Sequence, residues 1–471
     1  MNATNSILFY RRIIVGVLLA ASFVTLLNQT LLIVAIPPIM GEFGIEPNQA
    51  QWVTTAFMLM NGIMIPVTAF LIEKFSSKAL LIFAISIFIL GTFLGAVAPS
   101  FSILLLARII QAVGAGILMP LMQTVLLTIY PPEKRGAAMG MSGLVIGFAP
   151  AIGPTLSGWI IDNFTWRYLF YTVLPISILV LVLAVFLMKN VTEQKKVNVD
   201  ILSIILSTLG WGGLLYGFSM VGSFGWADPT VIVAILIGAV TLVLFIWRQN
   251  RLVTPMLNFG VFQSKEFTVT TILSVLMFGV MIGVETLLPL YVQNVRGGTA
   301  LESGMMLLPG AIITGAMSPV AGKIFDKLGA RGMSIVGFAL MLVATILYVN
   351  IDIASSIPFI AVIFSIKMLG VSLLMTPLMT SGINALPYQL IAHGTAMNNT
   401  IRMVGGSIGT AIIISVMGTF SKASNAINPS IAMLEGMRAA FIIAGIMVLV
   451  GLLLSFSLTK KSQQEQPSLN N

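Results

Sequence analysis

The chain has 471 residues, of which 58% are hydrophobic and only 8% are charged. This excludes an ordinary soluble globular protein, in which about a quarter of the residues are charged. The net charge is +9 and there is no cysteine, so disulfide bonds, thiol chemistry and thiolate metal sites are excluded as well.

Fourteen long apolar runs follow one another, each near or above the roughly 18–20 residues that a membrane-spanning helix needs. Arg11 and Arg12 precede the first run as they would a signal peptide, but the run continues to Ile36, which is too long for a signal core. We therefore predict a retained first helix and an all-α integral membrane protein with 14 transmembrane helices. The runs cover residues 13–36, 50–71, 79–98, 101–125, 136–160, 168–188, 201–221, 229–247, 267–292, 303–322, 332–350, 355–379, 395–418 and 436–458.

Lysine and arginine are distributed unevenly between the loops. If alternate loops lie on opposite sides, 17 basic residues share a side with the two termini and four lie on the other. The positive-inside rule then places both termini in the cytoplasm, in agreement with an even number of helices. We predict a multi-pass protein of the inner (plasma) membrane, with the lipid bilayer as its surroundings and no nucleic-acid partner.

The second half of the chain repeats features of the first at a nearly constant spacing. This spacing corresponds to eight predicted helices, and many transporters are built from two related halves that enclose a central site. We predict six-helix bundles in 1–190 and 253–471, the latter with a short cytoplasmic tail, and an inserted helix pair in 191–252. The matching pairs, 253 to 259 positions apart, are Glu73 and Asp326, Pro120 and Pro377, Arg108 and Lys367, and Gly153 and Gly409.

The fifth run is rich in glycine and proline. Helix breakers are tolerated in lipid only where neighbouring helices or cavities satisfy the freed backbone groups. The run resembles the antiporter motif on the fifth helix of major facilitator drug exporters, which implies outward transport. The alternative is a tightly packed glycine helix of another membrane protein. The motif residues are Gly147, Pro150, Gly153, Pro154 and Gly158.

Two acidic-basic loop segments lie at matching positions of the repeat. A carboxylate at a helix end can pair with the terminus and charges of a neighbouring helix and so latch one side of a transporter. Both segments resemble the family's loop motif. The second copy matches it better, because the first has Ala69 and Glu73 where the motif has glycine and aspartate. The predicted gating residues are Glu73, Lys74, Asp326, Lys327 and Arg331.

Arg108 lies inside the fourth run. An arginine within the bilayer costs roughly 2.5–3.5 kcal/mol on insertion scales, so it should face protein or water and have a partner. The segment resembles the family's fourth-helix motif, which implies a part in proton transfer, and the alternative is a structural arginine paired with a carbonyl or carboxyl group. The resemblance covers nearly the whole chain and points to fourteen-helix drug:proton antiporters, the subfamily of lincomycin and quaternary-ammonium exporters.

One acidic residue, Glu285 in the ninth run, is clearly within the membrane. Many relatives have an aspartate in the first helix, but this chain has Asn28 there, and an amide cannot carry a proton. A desolvated carboxylate that binds either a proton or a cationic drug makes the two compete, which is the chemistry antiport requires. We predict that Glu285 couples transport to protons. The alternative is a permanent ion pair with Arg402 or Lys367.

Polar, aromatic and methionine side chains in several runs are predicted to line a substrate site between the bundles. The chain has 28 methionines and 28 phenylalanines, which suit a pliable apolar pocket. The predicted substrate-binding residues are Asn28, Gln29, Thr30, Gln51, Trp52, Met60, Asn61, Asn398 and Arg402. The single histidine, His393, is interpreted as a loop residue rather than a ligand.

Together these features predict a proton-coupled exporter of hydrophobic or cationic drugs that works by alternating access. Its partners are expected to be small amphipathic molecules and protons, and the protein is expected to be a monomer without metal or cofactor. The alternatives are an exporter of a specific endogenous metabolite or lipid, an importer or uniporter, and a non-transporting membrane enzyme or sensor. The sequence contains no catalytic cluster or appended domain, so an enzyme is not expected.

Overall fold

A computed structural model describes residues 3–32, 35–45, 47–50, 52–194 and 200–459. It describes only the backbone of residues 3–9, 47, 48, 150, 151, 154, 223 and 300. Within these ranges the chain forms sixteen α-helices and no strand. Their bounds are α1 Ala3–Leu31, α2 Ile36–Phe43, α3 Pro47–Ala50, α4 Trp52–Lys74, α5 Ser77–Ala96, α6 Phe101–Ile129, α7 Arg135–Asn163, α8 Arg167–Leu187, α9 Ile201–Phe224, α10 Pro229–Gln249, α11 Lys265–Leu290, α12 Ala300–Leu328, α13 Ala330–Val349, α14 Ile357–Asn384, α15 Ile391–Ala423 and α16 Pro429–Ser455.

Fourteen of these helices have at least 20 residues, and α2 and α3 are short connectors. By length and hydropathy, 13 are able to cross a membrane. The fourteenth long helix is α7, which carries the glycine-rich fifth run. The predicted all-α, multi-pass membrane fold is confirmed.

Hydrogen-bonding side chains mark where several helices begin. Ser76 and Ser100 accept hydrogen bonds from backbone N–H groups in the first turns of α5 and α6. Thr299 and Glu302 form a capping box at the start of α12. Because the first N–H groups of a helix have no partner within the helix, such caps fix the residue at which it begins.

Both ends of the described chain lie at one face of the molecule, which we call the terminal face. Arg11 near the start of α1 stacks on Tyr130 at the end of α6, with 4.5 Å between the guanidinium carbon and the ring centroid. Thr459, after α16, donates to Glu266 at the start of α11, with 2.7 Å between Oγ1 and Oε2. We call the opposite side the distal face, where Arg167 and Glu42 form an ion pair of 2.7 Å.

Helices α1 and α4–α8, the first half, pack on one another, and so do α11–α16, the second half. The halves meet where α7 lies along α12 and where α15 contacts α4 and α6. The pair α9 and α10 packs side by side, and α9 lies against α4 and α15.

An ion pair at the terminal face joins α10 to the start of α9. Arg248 donates to both carboxylate oxygens of Asp200, at 2.8 and 3.0 Å. These bonds lower the pKa of Asp200 from its usual 3.8 to about 2. Asp200 also accepts from the backbone of Ser203, so one carboxylate both caps α9 and holds it against α10.

Candidate functional site

The glycine-rich helix α7 forms the closest seam between the halves. A Cβ atom added to Gly147 would lie 2.5 Å from the backbone nitrogen of Gly315 in α12. Nearer the terminal face, a Cβ on Gly140 would lie 2.8 Å from the backbone of Pro319. Real Cβ atoms do not approach backbone this closely, so glycine is required for α7 and α12 to pack along this seam.

The other antiporter-motif residues have different surroundings. A Cβ on Gly153 would collide with Thr30 of α1, so this glycine serves packing within the first half. A Cβ on Gly158 would have no heavy atom within 4 Å. Pro150 and Pro154 lie within α7, and their side chains are outside the described part. The motif therefore serves two separate packing contacts.

At the terminal face, Asp326 of α12 caps the first turn of α7. Its two carboxylate oxygens accept hydrogen bonds from the backbone N–H groups of Gly136 and Ala137, each at 2.8 Å. A carboxylate is stabilised there because the unpaired N–H groups and the helix dipole both favour negative charge. Beside it, Arg135 donates to Asn384 of α14 at 2.9 Å. We call this group the Asp326 latch.

Glu73, the acid that corresponds to Asp326 in the repeat, makes a similar contact at the same terminal face, between α4 of the first half and α15 of the second. Its Oε1 lies 3.3 Å from Nε2 of His393 in the first turn of α15. The interpretation of His393 as a loop residue was wrong: it is 4% exposed, and its Nδ1 accepts from the backbone N–H of Asn258 at 3.4 Å. Helix α15 begins at Ile391, in a segment with polar residues where hydropathy does not indicate a helix. We call this contact the Glu73 latch.

The three predicted basic gating residues lie at the same face. The Lys74 ammonium is 5.6 and 5.7 Å from the ring centroids of Phe70 and Phe75. Lys327 is exposed, and Arg331 is partly exposed in the first turn of α13. Lys74 and Lys327 directly follow the latch acids Glu73 and Asp326 in the chain, and a part for the three basic residues in gating stays a prediction.

Deeper in the molecule, a third polar contact joins the halves. Asn399 of α15 donates to Oε1 of Gln123 in α6 at 2.6 Å. Arg402, one turn further from the terminal face, donates from Nη2 to Oδ1 of Asn399 at 2.9 Å. The neighbouring Asn398 donates to Thr271 at 3.3 Å. With the two latches, this contact closes the terminal face between the halves.

Arg108 is fully buried in the first half near the distal face. Its Nε donates to the carbonyl of Val53 at 3.1 Å, and its Nη1 donates to Gln111 at 2.8 Å. Gln111 in turn donates to Thr92, and the guanidinium lies over the ring of Phe57, 4.2 Å from its centroid. These contacts hold α4, α5 and α6 together, and a part for Arg108 in proton coupling stays a prediction.

Glu285 lies in the second half, on α11. It forms no ion pair within 4.0 Å among the described residues, whereas Lys367 of α14 donates to the carbonyl of Met281 at 3.2 Å. Lys367 is close enough to Glu285 for the two charges to interact electrostatically. The carboxylate and the ammonium are therefore neighbours without a direct bond between them.

The predicted substrate residues of the first half have different surroundings. Asn28 is 2% exposed and its Nδ2 has no hydrogen-bond partner, while Thr30 donates to the carbonyl of Leu27 at 3.1 Å. Gln29 is partly exposed. Trp52 stacks on Tyr216 of α9, with ring centroids 5.9 Å apart.

Met60, Asn61 and Gln51 complete the set. Met60 packs against Phe57 and Ala112, and Asn61 lies where α4 crosses Gly116 of α6. Gln51 is outside the described residues. Met60 and Asn61 therefore serve packing between α4 and α6, and a part for the first-half residues in substrate binding stays a prediction.

Sequence reasoning missed Gln111, Gln123, Asn399 and Tyr348. Each is a polar side chain inside an apolar run, and such residues are expected to find partners because an unpaired polar group is costly in lipid. That signal was available in the sequence. Their partners were not, because these depend on which helices are neighbours.

No group of three or more histidine, cysteine, aspartate or glutamate side chains in the described ranges is placed to hold a metal ion. Twelve long helices in two related halves, an additional helix pair and charged side chains buried near the contact between the halves define a multi-pass membrane transport protein.

Comparisons with known proteins identify the family. The sequence model of the Major Facilitator Superfamily matches residues 18–410, so the chain belongs to that superfamily and is a transporter rather than an enzyme. It is 57% identical over 98% of both chains to the uncharacterized MFS-type transporter YcnB of Bacillus subtilis. It is 41% identical to the lincomycin resistance protein LmrB of the same organism, covering 93% of this chain and 94% of LmrB.

The fold also resembles a solved structure. The crystal structure of the human organic anion transporter MFSD10 (TETRAN) superimposes with a TM-score of 0.67 at 13% identity, covering 94% of this chain and 99% of that one. At this identity the likeness concerns the fold alone.

Proposed function

We propose that this protein is a proton-coupled exporter of hydrophobic or cationic drugs in the plasma membrane. The observation that carries the proposal is Glu285, a carboxylate well inside a membrane span, close to Lys367 but not bonded to it. A carboxylate held in this way can take up a proton or attract a cationic drug, and the two then compete for it. A relative named for lincomycin resistance, with 41% identity, supports drug efflux.

The transport cycle follows from the contacts between the halves. The positive-inside rule assigns the terminal face to the cytoplasm, so the state described here is closed toward the cytoplasm. The Asp326 and Glu73 latches and the Asn399–Gln123 bond must break for the site to open to that side. The halves, residues 1–190 and 253–471, then rock about the site. Because α9 of the pair in 191–252 contacts α4 of one half and α15 of the other, the pair must shift against at least one of them.

The energetics are sufficient for export. One charge that moves through 100 mV yields about 2.3 kcal/mol, which sustains roughly a fifty-fold gradient of a neutral drug for each proton. A single coupling carboxylate favours neutral or monocationic drugs over dications. We propose that one chain forms the complete pathway, so that a monomer is active.

The test is uptake of a fluorescent monocationic dye into inside-out vesicles under a proton gradient. We expect uptake by the native protein, loss with protonophore, and loss of at least about tenfold in Glu285→Gln, since an amide cannot exchange a proton. Glu193→Gln is the matched control, because it removes one carboxylate from an exposed connector. Gradient-driven uptake that survives Glu285→Gln would contradict the assignment of the coupling site.

A further inference from the structure

Three basic side chains are buried within the membrane-spanning part of the molecule, and their surroundings differ. Arg108 has a carbonyl and an amide oxygen as acceptors for Nε and Nη1, while its Nη2 has no hydrogen-bond partner among the described residues. Lys367 has a carbonyl acceptor and lies near Glu285. Arg402 is 5% exposed, has one amide oxygen as acceptor, and its Nε has no hydrogen-bond partner.

No carboxylate lies within 4.0 Å of Arg402 in the part of the chain that the structure describes. A guanidinium is planar and presents donors in a fork that fits a carboxylate or sulfonate. A buried cation without an anionic partner is costly to retain in a bilayer. Arg402 therefore has unused capacity for an anionic group.

The repeat shows that the scaffold does not require this cation. Positions 256 and 257 residues before Arg402 are Ile146 and Val145 of α7, both apolar. The equivalent helix of the first half thus packs without a charge at this level. Arg402 is an addition to the second half alone, which favours a role beyond packing.

The position of Arg402 suits a ligand site. It lies about 16 Å along α15 from the terminal face, and its guanidinium lies over the ring of Phe278, 4.9 Å from the centroid. Glu285 follows Phe278 by seven residues, and so lies on the same side of α11 about 10 Å further on. The partly exposed Phe278 and Ile282 offer apolar contact between the two charges.

The contact nearest to Arg402 also separates it from the terminal face. Asn399, which accepts from Arg402, makes the 2.6 Å bond to Gln123 across the halves. The Asn399–Gln123 bond therefore lies between a ligand at Arg402 and the terminal face, which the proposed function assigns to the cytoplasm.

We propose that Arg402 binds the acidic group of an amphipathic substrate, a carboxylate or sulfonate, with the apolar body of the substrate against Phe278 and Ile282. The proposal rests on the exporter function and extends its substrates, beyond the neutral and cationic drugs that Glu285 suits, to compounds that carry an acid group. The Asn399–Gln123 bond closes the cytoplasmic exit behind the bound acid.

The test measures binding of matched fluorescent probes to the purified protein without any gradient. Dansylglycine carries a carboxylate, dansylamide is neutral, and dansylcadaverine carries an amine, on one aromatic body. We expect dansylglycine to bind about tenfold more tightly than dansylamide, as one charge-assisted pair allows. Arg402→Gln should abolish this preference and leave dansylamide affinity within about twofold, the latter also showing that the variant is folded.

Two further variants make the result specific. Arg402→Lys should keep part of the preference, because it retains the charge without the fork. Lys422→Gln removes an exposed cation from the end of the same helix and should change nothing. A preference for dansylglycine that survives Arg402→Gln, or no preference in the native protein, would overturn the proposal.

A lipid headgroup is the other source of an acid. Short-chain phosphatidylglycerol should not displace dansylglycine, and displacement would assign the site to lipid and overturn the substrate proposal. Because these experiments need no proton gradient, their failure is distinct from failure of the exporter function, which would appear as absent gradient-driven uptake with normal probe binding.

Discussion

The two halves of this transporter share a scaffold but differ in the chemistry at matching positions. Arg108 in the first half is fixed by neutral acceptors, whereas its counterpart Lys367 lies near a carboxylate. Asn28 and Glu285 are 257 positions apart, so the amide of the first half corresponds to the carboxylate of the second. The first half therefore has a fixed polar network and the second has groups that can change charge or partner.

The latches differ in the same way. Gly136 and His393 are also 257 positions apart, and each receives a carboxylate from the facing half. The Asp326 latch uses backbone N–H groups and requires glycine at 136, because a Cβ there would collide with Oδ1 of Asp326. The Glu73 latch is made with the imidazole side chain of His393. Two related positions thus give a contact fixed by the backbone and a contact fixed by a side chain.

The largest effect is expected when the carboxylate is moved between the halves. Glu285→Gln with Asn28→Asp retains one acid but places it in the first half, where Nε and Nη1 of Arg108 already have neutral acceptors. We expect gradient-driven dye uptake to stay at least about tenfold below that of the native protein. Uptake assays in vesicles check this, with Asn28→Asp alone as the control. Restored uptake would show that the halves are chemically interchangeable.

An intermediate effect is expected from the two buried cations. Arg108→Gln leaves the Val53 carbonyl and Gln111 without their donor, so we expect the free energy of unfolding to fall by about 2–4 kcal/mol. Lys367→Gln removes one hydrogen bond and should lower it less, while impairing transport more. Thermal unfolding in detergent and uptake, measured on both variants, test this division. Equal losses of stability would contradict the contrast.

The smallest effect is expected at the latches. Asp326→Asn keeps an acceptor but loses the charge at the start of α7, which is worth about 1 kcal/mol and so about a fivefold larger open population. Glu73→Gln should act less, because its contact with His393 is to a side chain, at 3.3 Å. Since the chain has no cysteine, spin labels at introduced cysteines replacing Lys78 and Lys323 report the opening directly. A larger response to Glu73→Gln would reverse the ranking.

Much of the fold was predictable because the bilayer restricts the choices. A long apolar run must form a helix to satisfy its backbone, so composition and run length predicted the all-α membrane fold. The matching of Glu73 with Asp326 and of Arg108 with Lys367 was visible as well, because a repeat keeps both residue type and spacing. His393 was misread because helix α15 begins in a polar segment where hydropathy has no signal.

The partners of the buried polar groups were not predictable. The sequence left open whether Arg108 faces a carbonyl or a carboxylate, and whether Glu285 pairs with Arg402 or Lys367. The structure gives Arg108 the Val53 carbonyl and gives Arg402 the Asn399 amide. Which atoms meet depends on helix rotation and on crossing points such as Gly147 at Gly315, and neither follows from hydropathy.

By itself, the sequence determined that this chain spans the membrane many times, that its halves are related, and that few charges lie within the bilayer. These properties follow from transfer free energies, which depend on residue type alone. The tertiary structure decided that α7 and α12 form the seam, that the terminal face is closed, and that Arg402 has no anionic partner among the residues described. These depend on contacts between residues far apart in the chain, and packing of the whole molecule sets such contacts.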